Sequence, residues 1–216
     1  MANTQTSRTA GQRVPVTFLA GFLGSGKTTL ANHILSAPHG QRIAVIVNEF
    51  GDVNIDGRLV VGVDDNVIEL SNGCLCCMVR DSLTETLYAL LARRDQHTDS
   101  LPFERILIEA SGLATPGPAV QVLFVDTVLA AQLRLDAVIT MAHAQHIVQQ
   151  FREHPEASAQ VGYADYVLVN HCDQCDPPGL EAAEAAIRAC NPQAEMVRTT
   201  HARVDVTTSS SNSTPV

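Results

Sequence analysis

The chain has 216 residues, 45% of them hydrophobic and 17% charged, enough to bury one full core and without an apolar run long enough to span a membrane. Asp and Glu number 23 against 14 for Lys and Arg, the net charge is −9, and aromatics are 4% with no Trp. That balance excludes a broad nucleic-acid footprint and a recognition surface built mainly on aromatic stacking.

Residues 1–12 are polar and read as a disordered arm. Residues 14–20 are a short apolar run bounded by glycine, which predicts a buried strand. Gly21-Phe22-Leu23-Gly24-Ser25-Gly26-Lys27-Thr28 follows and matches G-x-x-x-x-G-K-[ST] between that strand and a helix predicted over 28–36. Glycines there let backbone N–H groups turn inward around an anion, and the helix N-terminus adds its positive end. Gly24, Ser25, Gly26, Lys27, Thr28 and Thr29 are therefore candidate phosphate ligands, with Lys27 on the β/γ-phosphates and the Thr28 hydroxyl on Mg²⁺. Lys27 is the one lysine among fourteen basic residues, so the chain uses Arg everywhere except where this motif demands Lys.

Residues 43–47 predict a second strand. The polar, glycine-containing stretch 48–65 carries Glu49, Asp52 and Asp56, which read as solvated loop acids able to help hold a metal. Residues 67–70 predict a short strand running into Gly73-Cys74-Leu75-Cys76-Cys77, and 80–94 an amphipathic helix. A third core strand, 105–108, ends on Glu109, the second acidic strand end of a P-loop NTPase, where it would hold Mg²⁺ directly or through water. The alternative is an ordinary exposed strand-end Glu. In the loop that continues it, the Gly112 N–H is placed to sense a γ-phosphate. Residues 116–133 predict helix and 137–141 a fourth strand. His143 and His146, three apart on a predicted helix, could pair on one face; nothing else nearby suggests a ligand set.

A fifth strand, 166–169, ends on Asn170-His171-Cys172-Asp173, in the place of the N-K-x-D guanine motif. Asp173 would accept hydrogen bonds from guanine N1 and N2, and Asn170 would tie the loop to the phosphate loop. His171 replaces the lysine whose stem covers the base, and an imidazole could stack there instead. A degenerate or adenine site is the alternative. His171-Cys172-x-x-Cys175 could form a second metal site, but a base loop with incidental cysteines is the preferred reading. Residues 179–190 predict an Ala-rich helix, and 207–216 a disordered Ser/Thr tail. Apolar strands alternating with helices predict an α/β P-loop NTPase domain over 13–206, doubly wound, with a mostly parallel sheet covered by helices on both faces. The motifs all fall at strand C-terminal ends, where such sheets bind ligands.

The six cysteines follow no secretory signal, which predicts a reduced, cytoplasmic protein. Cys74, Cys76 and Cys77 offer up to three thiolates within four positions, suited to Zn²⁺ or Co²⁺ and leaving a position open, as a carrier requires. Buried core cysteines and a redox pair are the alternatives. The cluster lies between the phosphate loop and Glu109, in the stretch that P-loop GTPases use as a switch, so nucleotide state could gate metal binding.

The segments 21–29, Asn48-Glu49-Phe50-Gly51, Gly73-Cys74-Leu75-Cys76-Cys77 and Glu109-Ala110-Ser111-Gly112-Leu113-Ala114-Thr115-Pro116 resemble the CobW family of metal-handling P-loop GTPases, over about residues 14–192. The resemblance implies a GTP-dependent metallochaperone for zinc or cobalt that delivers metal to a client protein. It also implies a smaller C-terminal domain; a Ser/Thr tail stands in its place, so the chain reads as the GTPase domain only. The expectation is a slow GTPase using GTP, Mg²⁺ and Zn²⁺ or Co²⁺, with Lys27 and Glu109 catalytic. Its partners would be a metal-receiving client and, left open, a second copy, with no nucleic acid and no membrane. The rivals are a P-loop ATPase or kinase, and a truncated, non-catalytic metal binder gated by nucleotide.

Overall fold

The computed structural model describes residues 13–37, 42–47, 59–62, 79–96 and 103–204. The arm at 1–12, the tail at 207–216, the strand read at 67–70, the acids Glu49, Asp52 and Asp56, and Cys74, Cys76 and Cys77 lie outside these residues.

Among the described residues, seven strands form one sheet in the order β3-β2-β4-β1-β5-β6-β7. They are β1 (Val14–Gly21), β2 (Ile43–Val47), β3 (Leu59–Gly62), β4 (Arg105–Glu109), β5 (Leu133–His143), β6 (Tyr166–Asn170) and β7 (Glu195–Arg198). Every neighbouring pair is parallel except β2 with the edge strand β3, which is antiparallel. The helices are α1 (Lys27–Ser36), α2 (Val79–Gln96), α3 (Pro116–Val125), α4 (Thr127–Gln132), α5 (Ile147–Glu153), α6 (Pro155–Gly162) and α7 (Pro177–Cys190). None of them, among the described residues, is long and apolar enough to cross a membrane.

Alternation along the strands sorts the helices by face. Leu19, Val45, Leu107, Ile139 and Leu168 pack with Leu30, Ala31 and Ile34 of α1. Val14, Val16, Phe18, Ile106 and Val138 turn the other way onto Leu83, Leu87 and Leu90 of α2, Val122 of α3 and Leu129 of α4. Ala142 is in step with Val138 on β5 and joins Ile147, Val161 and Ile187 of α5, α6 and α7, so those helices extend the same second face. The predicted doubly wound sheet with both faces covered is the observed one.

Several boundaries differ from the sequence expectation. The single helix read over 116–133 is two, because Asp126 leaves the helical region (φ −79°, ψ 113°) and its carboxylate accepts from the Val128 and Leu129 amides, capping α4. The same carboxylate accepts from the Tyr88 hydroxyl at 2.8 Å, tying α2 to α4. Strand β5 runs from 133 to 143 rather than 137 to 141, because Leu133, Arg134 and Leu135 already pair with Val14, Pro15 and Val16 of β1. The register with β1 skips Asp136 between Leu135 and Ala137, a bulge that points its carboxylate at Arg134, 2.6 Å away, and at Arg105. Burial works to raise Asp136, but the two guanidinium groups outweigh it and hold the carboxyl below its ordinary range. Strand β3, helices α5 and α6, and β7 carry too little periodicity to have been read from sequence. His143 and His146 are not on one helix: the first ends β5 and the second is the N-cap of α5.

Candidate functional site

The C-terminal ends of β1, β4, β5 and β6 bring Gly21, Glu109, His143 and Asn170 to one edge of the sheet. The chain leaves β1 through a loop with three glycines at positive φ, Gly21 at 140°, Gly24 at 73° and Gly26 at 104°, conformations that only glycine adopts without strain. At Gly26 a Cβ would stand 2.5 Å from Asn170 Nδ2, so the loop also needs glycine for close approach. Lys27 opens α1, whose first turn holds no acid to offset the positive helix end. The lysine is 8% exposed and its Nζ donates to the Phe22 carbonyl at 3.3 Å, so the ammonium lies across the loop. Ser25 is fully buried, while Thr28 and Thr29 are exposed on the first turn.

The Thr28 hydroxyl donates to Glu109 Oε1 at 2.6 Å, bridging 81 residues of sequence. Glu109 is 4% exposed, so the exposed strand-end alternative does not hold. A hydroxyl and a carboxylate beside the glycine loop form an all-oxygen donor pair, a donor chemistry that suits a hard cation such as Mg²⁺. Past Glu109 the chain crosses the mouth of the loop. A Cβ on Gly112 would come within 2.5 Å of the Leu23 side chain and 3.0 Å of its backbone nitrogen, so this segment rests directly on the phosphate loop.

At the other end of the cradle, Asn170 is 1% exposed and donates from Nδ2 to the Ser25 carbonyl at 2.9 Å. Its Oδ1 accepts from the Ala202 amide at 3.0 Å, so one side chain joins β6, the phosphate loop and the turn after β7. His171 follows in the left-handed region (φ 60°) and starts a 3-10 turn, Cys172–Gln174, in which Asp173 is exposed. The tie expected of Asn170 is present, and Asp173 stands at the open rim beside it.

His171 does not stand alone. Its ring stacks on His143 with centroids 4.2 Å apart at 13°, and His143 also meets His146 at 4.2 Å. Stacked rings are not a ligand set, and no group of three or more His, Cys, Asp or Glu among the described residues is arranged to hold a metal ion. Cys172 donates its thiol to the Val169 carbonyl at 3.0 Å, and burial raises its pKa.

Burial first, and then the charges of His171 and His146, push His143 down to about 4. A base whose folded pKa lies below its unfolded value takes up protons on unfolding, so stability falls as pH drops from about 6.5 toward that folded value. His143→Phe, which keeps a ring in the stack, is expected to lose less stability than the parent between about pH 7 and about pH 5. Urea midpoints at the two pH values check this, and an identical acid-induced drop in both proteins refutes it.

Two contributors escaped the sequence reading. His154, the N-cap of α6, stacks its ring on Phe22 of the phosphate loop at 4.6 Å. Gln160 of α6 is 1% exposed and donates from Nε2 to the carbonyls of Gly112 (3.0 Å) and Ala114 (2.9 Å). The inward positions of α6 are Ala157, Gln160 and Val161, an i, i+3, i+4 stripe. A lone amide in that stripe was the available signal, invisible until the helix itself is known.

Residues 15–198 match the family described as CobW/HypB/UreG, nucleotide-binding domain. The zinc chaperone YjiA of Escherichia coli K12 is 38% identical over 193 residues, which is 89% of this chain and 59% of that protein. The zinc chaperone CobW of Pseudomonas aeruginosa is 38% identical over 213 residues, covering 84% of this chain and 55% of that protein. The crystal structure of the Zn(II)-bound YjiA GTPase from E. coli matches with a TM-score of 0.70 and 36% identity, over 90% of this chain and 60% of that one. The chain thus spans under two thirds of each relative's length.

Proposed function

The chain belongs to the CobW/HypB/UreG nucleotide-binding family, and from that premise we propose that it binds and slowly hydrolyses GTP and uses the cycle to hold and hand on zinc or cobalt. The observation that carries the nucleotide half is the 2.6 Å contact of Thr28 with Glu109 at the mouth of the glycine loop. That contact brings a hydroxyl and a carboxylate together where a phosphate chain would lie. Bound there, Mg²⁺ would supply neutralisation of the charge that develops on the β- and γ-phosphate oxygens. Gly24, Ser25, Gly26, Thr28 and Thr29 would offer backbone N–H groups or hydroxyls to the α- and β-phosphates. Lys27 would swing from the Phe22 carbonyl to the β/γ-oxygens, and the Gly112 N–H would face the γ-phosphate.

Hydrolysis would be in-line attack by water on the γ-phosphorus, with the bond to the β–γ bridging oxygen breaking and GDP and phosphate leaving. Lys27 and the loop amides would stabilise the transition-state charge. Asp173 would accept from guanine N1 and N2, and the His171–His143 stack would stand beside the base in place of a lysine stem. The fold matches that of a GTPase solved with Zn(II) bound, with a TM-score of 0.70 and 36% identity, which supports pairing the two activities in this chain.

The metal half rests on Cys74-Leu75-Cys76-Cys77 and on the zinc chaperone names of the relatives. The cysteines lie in the stretch between the phosphate loop and Glu109. If GTP orders that stretch, metal binding has less conformational entropy left to remove, and the two ligands tighten each other equally. Co²⁺ is expected to bind the form loaded with a non-hydrolysable GTP analogue about 5–150-fold more tightly than the GDP form. Thiolate-to-Co²⁺ charge-transfer absorption reads the titration, and replacing Cys76 and Cys77 by Ser should remove the band. Equal Co²⁺ affinity in the two states would sink the gated-carrier reading and leave an uncoupled metal site.

A further inference from the structure

We propose that Gln160 is a positioning residue for the segment after β4, setting the Gly112 peptide so that the site distinguishes a nucleoside triphosphate from a diphosphate. The inference rests on the nucleotide half of the proposed function and assigns part of its γ-phosphate response to a helix that carries no motif.

The geometry is specific. Both acceptors of Gln160 are backbone carbonyls, Gly112 at 3.0 Å and Ala114 at 2.9 Å, reached across 48 and 46 residues of sequence. Carbonyls only accept, so the amide nitrogen must face them, and one NH₂ group uses both hydrogens on a single segment. A turn already brackets that segment, with the Ala114 amide donating to the Ser111 carbonyl at 3.0 Å. Gln160 therefore anchors this turn from outside.

The anchor is itself held. The backbone carbonyl of Gln160 accepts from the buried Thr140 hydroxyl of β5 at 2.9 Å. At the start of the same helix, His154 stacks on Phe22 of the phosphate loop. At Gly117, just past the segment, a Cβ would lie 2.5 Å from the hydroxyl of Tyr163, the residue that follows α6. Helix α6 thus touches the phosphate loop at one end and the Gly112 segment at the other. A side chain serving only to fill space there would be apolar, since Gln160 Oε1 is buried without a hydrogen-bond partner among the described residues, a costly arrangement unless the NH₂ group is needed.

A γ-phosphate is the group that distinguishes GTP from GDP, and Gly112 is the backbone that would meet it. Releasing Gly112 from Gln160 should therefore weaken triphosphate binding and leave diphosphate binding, which relies on the glycine loop and Asn170, nearly untouched. The test uses the full chain and calorimetric titration with GDP and with a non-hydrolysable GTP analogue. Gln160→Met keeps the volume and removes both donors. It is expected to bind GDP within about twofold of the parent and to bind the analogue about tenfold more weakly. Thr140→Val, which frees only the backbone carbonyl of Gln160, should give a smaller split in the same direction, and it serves if Gln160→Met does not fold. Gln160→His, which keeps a ring N–H able to donate, should recover part of the loss. Equal weakening of GDP and analogue, or no change in either, overturns the inference. Failure of the parent chain to bind the analogue overturns the proposed function instead, so the two failures are told apart.

Discussion

Lys27→Ala is expected to abolish triphosphate binding, by at least about 100-fold, while the protein stays folded. The magnitude follows from what the ammonium would do: one charge-assisted hydrogen bond is about 1.5–3 kcal/mol, and the lysine would reach both β- and γ-oxygens. The fold should survive for a local reason. Lys27 begins α1 and its stem lies over the glycine loop toward the Phe22 carbonyl, while the helix is held to the sheet by Leu30, Ala31 and Ile34. Alanine is also the residue most tolerated in a helix. A melting curve like the parent's, together with no heat on GTP titration, is the predicted pair of results. Parent-like GTP affinity in a folded Lys27→Ala protein would show that the loop binds no triphosphate through this residue.

Asp173→Asn is expected to reverse base preference, from GTP to xanthosine triphosphate. A carboxylate accepts from both N1–H and the exocyclic N2 amine of guanine. Xanthine carries an oxygen at that position, and an asparagine amide can donate to it where a carboxylate would repel it. Because buried recognition groups left unmatched cost about 1–3 kcal/mol each, the loss for GTP should be about 100-fold and the gain for the xanthine nucleotide of similar size. Stability should hardly change, since Asp173 is exposed on a short 3-10 turn and its neighbour Asn170 keeps both anchoring bonds. Competition between the two nucleotides against a fluorescent GDP measures the ratio. An unchanged preference would mean that Asp173 does not read the base, and that specificity sits elsewhere at this rim.

The glycine loop and the strand and helix on either side of it were legible because they are local. Glycine at fixed spacing, a lysine and a threonine within eight residues, a strand before and a helix after describe one continuous stretch whose conformation its own residues dictate. The same holds for the Glu109 and Asn170 strand ends, each the last residue of a short β-branched run. Strand β1, β2, β4 and β6 could be read this way within a residue or so, since a fully buried parallel strand is apolar throughout. The helix break at Asp126 was also local, but the Asn/Asp capping signal sat inside an unbroken apolar pattern that outweighed it.

What pattern could not supply are the pairings between distant segments, which depend on how the sheet orders its strands. That Thr28 meets Glu109, that Asn170 closes on Ser25 and receives the Ala202 amide, and that His143 and not a helical partner stacks on His171 all follow from strand order β4-β1-β5-β6. Gln160 is the sharpest case. In the amino-acid sequence it is an unremarked polar residue; packed on β5 it becomes a buried donor to a segment 46 to 48 residues away. Local sterics and hydrogen bonding specify which stretch becomes strand, loop or helix, whereas the free energy of burying a polar side chain depends on partners that only chain topology brings within 3 Å.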